Sequence, residues 1–109
     1  MNSFEKWRST ASREEILIEL MNRRQRQILV HSFLYYQLNT NTISDHLYDS
    51  WSKELASLLK ANPELAKQTV YYDGFKEFDG SSGYDLPYSL PEIQQVGYRL
   101  LNYNKNRGN

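Results

Sequence analysis

A chain of 109 residues, 39% hydrophobic and 24% charged, has the length of one folded domain and is too apolar for the disordered class. Thirteen basic side chains balance thirteen acidic ones, so no net field draws the protein to nucleic acid or to an anionic membrane. The absence of cysteine excludes a disulfide framework and a thiolate zinc site, and no apolar run nears the roughly 20 residues that span a bilayer. The opening MNSFEKWRST lacks the apolar stretch of a signal peptide, which predicts a cytoplasmic domain.

Ser12 followed by Glu15 has the form of a capping box and predicts a helix running to about Leu38. Its apolar stripe of Ile16, Leu20, Met21, Ile28, Phe33 and Leu34 follows helical spacing imperfectly. MNRRQRQ interrupts the stripe. Arg23 and Arg26, one turn apart, read either as a solvated face or as a local phosphate site. NTNTIS, residues 39–44, is a turn by composition. A second helix then starts with Ser44 as N-cap and runs to about Ala61, carrying Leu47, Tyr48, Trp51, Leu55, Leu58 and Leu59 on one side. So short a connection makes the two helices an antiparallel hairpin. Asn62-Pro63 stops the second helix and caps a short third one, to about Thr69.

Residues 70–89 change character, with aromatics alternating with acids and glycines. They predict a structured loop or a small hairpin rather than a linker. Ser89 with Glu92 repeats the capping-box pattern and opens a C-terminal helix to about residue 104. Ile93, Val96, Leu100 and Leu101 form its buried face, and residues 105–109 are a frayed tail. The expected fold is therefore mainly all-α and a single domain.

Asp45, Tyr48 and Asp49 lie at i, i+3 and i+4, on one face of the second helix's first turn. Tyr35 and Tyr36 end the preceding helix, close across the turn. Adjacent helical residues point about 100° apart, so one of that pair is expected in the core and the other in the cleft. Tyrosine faces edged by two carboxylates suit a flat cation bearing hydroxyls, through cation–π contact and hydrogen bonds to the carboxylates. The same residues also read as a core tyrosine and a helix-start acid. His31 and His46 stand 15 apart with no metal pattern around them, and Gly80-Ser-Ser-Gly83 lacks the lysine of a phosphate loop.

His31, Tyr35-Tyr36, Ile43-Ser44-Asp45, Tyr48-Asp49, Glu54-Leu55 and Pro63-Glu64-Leu65 follow one another as in a known pattern. That order and spacing resemble the N-terminal subdomain of bacterial NAD-dependent DNA ligases. The resemblance covers roughly residues 16–66. It implies a helical module that grips the nicotinamide mononucleotide half of NAD, with Tyr35, Tyr36, Asp45, Tyr48 and Asp49 lining the site. After Leu65 the pattern stops. The Lys-x-Asp-Gly of the adenylation domain has no counterpart, since Lys76-Glu77-Phe78-Asp79-Gly80 carries one residue too many. The resemblance thus implies binding of NAD or the mononucleotide without ligase chemistry. The alternative is a protein-interaction or inhibitor module, phage-encoded, in which Tyr71, Tyr72, Phe75, Phe78 and Tyr84 grip a partner with a basic surface.

Overall fold

A computed structural model describes residues 12–107; residues 1–11 and 108–109 lie outside the described part. Helix α1 spans Arg13–Ser32 and continues without a break into a π-turn, Phe33–Gln37. Ser12 caps it as the sequence predicts, its Oγ accepting from Glu15 N at 3.1 Å. Asn39, at φ 51°, reverses the chain, and Thr40 N reaches back to the Leu34 carbonyl at 3.0 Å. That closure satisfies carbonyls the helix end leaves free.

Helix α2, Asp45–Ala61, returns antiparallel and packs along α1. Short α3, Pro63–Ala66, follows. Asn62 stops α2 as expected, its side-chain amide donating to the Leu58 carbonyl, but it makes no side-chain bond that caps α3. Thr69 and the residues after it are tied to α1 by two amides. Gln25 donates to Thr69 Oγ1 at 2.8 Å and accepts from Tyr71 N, while Asn22 accepts from Val70 N.

Residues 70–89 form no hairpin, and the described residues contain no strand. They hold a single helical turn, α4 (Tyr72–Phe75), and a run of turns. Helix α5, Pro91–Arg107, begins with Pro91 at its first position, so Ser89 lies one residue too early to cap it. The Ser89 carbonyl instead accepts from the Gln94 side chain at 2.7 Å. The helix also continues through positions expected to fray. Its buried face differs as well: Val96 is 36% exposed and Gly97 takes its place. An added Cβ at Gly97 would stand 2.6 Å from the Phe33 ring, so only glycine lets α5 approach the π-turn this closely.

The end of α1 and the start of the π-turn are buried on every side. Ile28 to Leu34 are seven consecutive buried residues, enclosed by α2, α5 and the segment carrying Phe75, Leu86 and Tyr88. A helix apolar all round belongs at the centre of a bundle. Leu47, expected on the packed side of α2, is 37% exposed. No described helix is long and apolar enough to cross a membrane.

Candidate functional site

A cavity of about 450 Å³ opens where the end of α1 meets the start of α2. That volume lies within the range of small-molecule sites. The π-turn supplies Tyr35 and Tyr36 to its wall, and α2 supplies Asp45, Tyr48 and Asp49. The five residues that the sequence places together therefore line one cavity. Both adjacent tyrosines line the cavity, and Tyr36 also packs against the core, as expected of one of the pair. Tyr35 is 50% exposed and Tyr36 half-buried.

The positions of these side chains are fixed from behind. Ser44 Oγ accepts from Leu47 N at 3.1 Å, which sets the first turn of α2 and with it Asp45, Tyr48 and Asp49. Tyr48 OH lies 2.8 Å from the buried Ser32 Oγ. Burial raises the Tyr48 phenol above its ordinary value, so it stays protonated and can donate. Asp49 pairs with Lys53 at 2.9 Å on an exposed face, whereas Asp45 has no ion-pair partner among the described residues.

His31 forms part of the floor, its Nδ1 3.4 Å from Thr42 Oγ1 and its ring 5.7 Å from Trp51. Burial lowers its pKa to about 4, so the imidazole is neutral near pH 7. Trp51 carries the Arg24 guanidinium on its ring at 5.6 Å, and Arg24 also pairs with Glu54.

The fourth wall comes from the 79–88 segment, which the sequence pattern does not connect to the site. Ser81 lines the cavity. Asp79 Oδ1 accepts from both Ser81 N (2.9 Å) and Ser81 Oγ (2.6 Å), an Asx turn that holds the loop in shape. Those bonds keep the Asp79 carboxyl below its usual range. Ser82 Oγ lies 3.3 Å from Tyr36 OH. Tyr88 stacks on Tyr36 at 5.7 Å, and Tyr84 meets it edge-on at 5.3 Å. Gly83 presses its backbone so closely against Ser32 Oγ and Tyr48 OH that a Cβ would collide with both. Asp79-Gly80-Ser81 has the form of an Asx turn in the sequence, but nothing in that pattern points it at the site.

Arg23 and Arg26 are not brought to this cavity. Arg23 pairs with Glu19 at 3.6 Å, and Arg26 is exposed and lines no part of the cavity. The aromatic residues read as a partner surface are divided too. Phe75 is buried in the core and unavailable to any partner, and Phe78 packs edge-on against it at 5.2 Å. Tyr71 donates to Glu92, and Tyr72 lies under Lys76. Tyr84 alone is widely exposed, at 64%.

The model of one protein family, described as DNA ligase-like, N-terminal NAD+-binding domain, matches residues 14–69, more than half of the chain. No curated protein and no solved structure matches significantly. The matched span holds every cavity residue named above from α1, the π-turn and α2, and it ends before the loop that supplies Ser81.

Proposed function

Because this chain belongs to the DNA ligase-like, N-terminal NAD+-binding domain family, we propose that its cavity binds the nicotinamide nucleotide half of NAD+. The observation that carries this reading is the meeting of three tyrosines and two aspartates around one cavity inside the matched span. Tyr36 already has Tyr88 on one face and the edges of Tyr35 and Tyr84 beside it, so Tyr35 and Tyr48 are the aromatic surfaces left for the pyridinium ring. A cation held against such rings gains about 0.5–2 kcal/mol. Asp45 and Asp49 accept hydrogen bonds from the ribose hydroxyls. None of the 109 residues forms a Lys-x-Asp-Gly, so the proposed role of this chain's own residues is binding and orientation, not nucleotidyl transfer.

Calorimetric titration with nicotinamide mononucleotide, NAD+ and AMP tests this. The first two should bind and AMP should not. Asp45→Ala and Tyr48→Ala should each weaken binding at least about tenfold, a loss of about 1.4 kcal/mol, with helical circular dichroism unchanged. Undiminished affinity in both variants sinks the reading.

A further inference from the structure

One wall of the cavity comes from outside the family match, and it carries a side chain of fixed polarity. Ser81 lines the cavity from the 79–88 segment, whereas the matched span ends at residue 69. The backbone N–H and the hydroxyl of Ser81 both donate to Asp79 Oδ1, at 2.9 and 2.6 Å. Those bonds hold the Asp79 carboxyl below its usual range, so at neutral pH it is ionised and can only accept. A serine hydroxyl has one hydrogen to give. With that hydrogen spent on Asp79, Ser81 Oγ offers a ligand lone pairs alone, and the carboxylate behind it makes it a stronger acceptor.

The segment is pinned where it crosses the tyrosines. Ser82 Oγ lies 3.3 Å from Tyr36 OH, and Tyr84 and Tyr88 pack on the Tyr36 ring. The Gly83 backbone lies against Ser32 Oγ and Tyr48 OH. A nicotinamide nucleotide brings two kinds of donor to such a site, its ribose hydroxyls and its carboxamide N–H groups. The reading above gives the hydroxyls to Asp45 and Asp49. Resting on that reading, we propose that Ser81 Oγ accepts from the carboxamide, which makes Ser81 a specificity-determining residue favouring the nicotinamide nucleotide over its nicotinic acid counterpart. The acid form carries a carboxylate in place of the carboxamide. It has no hydrogen to give and sets its own lone pairs against those of Ser81. A site built around a ligand's donor rejects the analogue that lacks it.

Nicotinamide mononucleotide and nicotinic acid mononucleotide differ in that one group. Calorimetric titration of both against the whole chain, Ser81→Ala and Ser81→Thr makes the test. The unaltered chain should bind the nicotinamide form more tightly. Asp45 and Asp49 repel the extra negative charge of the acid in all three proteins, so the share due to Ser81 is the change in the affinity ratio. Ser81→Ala keeps the backbone bond to Asp79 and should narrow the ratio about fivefold, a modest effect because Ser81 is solvent-exposed. Ser81→Thr retains the hydroxyl and should retain the ratio. An unchanged ratio in Ser81→Ala overturns the proposal, whether both affinities fall together or neither moves. A ratio that narrows equally in Ser81→Thr assigns the effect to the shape of the loop and overturns it too. In both cases the nicotinamide form still binds, and the nicotinamide site stands. Failure of that form to bind the unaltered chain removes the nicotinamide reading and this inference with it.

Discussion

His31 shows how one side chain can serve both the core and the site. It sits in the buried end of α1, packs at a tilt against Trp51 and still reaches the cavity floor. Because burial holds its folded pKa near 4 against 6.5 for the exposed group, the unfolded chain takes up the proton first as pH falls. The stability that neutral His31 contributes is complete above about pH 6.5. It declines between 6.5 and 4 and then levels off. The loss should be on the order of 1–3 kcal/mol, discounted for partial access through the cavity. Urea midpoints at pH 7.5 and 5 measure it, and His31→Gln should flatten the difference between them. An unchanged pH dependence in the variant would place the titrating group elsewhere. Ser52 is a quieter case: its fully buried Oγ, near Tyr48, has no hydrogen-bond partner among the described residues.

At the scale of elements, the site is a junction between two helix ends. A π-turn closes α1, and such turns are enriched at functional sites because they redirect side chains that a regular helix would bury or splay. Across the turn, Ser44 fixes the first turn of α2, where four cavity residues, Asp45, His46, Tyr48 and Asp49, stand within five positions. Ser44→Ala removes the cap and should cost about 1 kcal/mol in a urea unfolding experiment. It should also weaken nicotinamide binding, since Asp45 and Tyr48 lose their fixed frame. Stability lost with affinity untouched would mean that the helix start does not organise the site.

Across the whole molecule, the matched hairpin is completed by the residues that follow it. Buried Gln25 binds Thr69 and Tyr71 N, Gly97 brings α5 against Phe33, and the 79–88 segment folds back over Tyr36 and Tyr48. Gln25→Ala would leave the Tyr71 amide without its acceptor, remove the donor to Thr69 Oγ1, which keeps its own bond to the Ala66 carbonyl, and open a small cavity. We expect a loss of about 2–3 kcal/mol in urea unfolding. Full stability in Gln25→Ala would show that the turn at 69–71 holds without the amide.

The sequence by itself determined the helices that local signals start and stop. Ser12 and Ser44 carry their caps in the chain, and the connection at 39–44 leaves the two long helices no arrangement but a hairpin. It also determined the five-residue constellation, because i, i+3, i+4 spacing and a short turn bring those side chains together whatever lies beyond. Tertiary structure decided what depends on distant partners. Leu29, Val30 and Gln25 are core because other helices surround α1, a fact no stripe on a single helix records. Ser89 gives up its capping pattern to Pro91, and Val96 yields its buried place to Gly97, because the approach to Phe33 sets how α5 lies. The fourth wall came last, for Ser81 reaches the cavity only when a loop some 30 residues further along the chain closes over the junction, and closure at that separation is governed by packing rather than by local propensity.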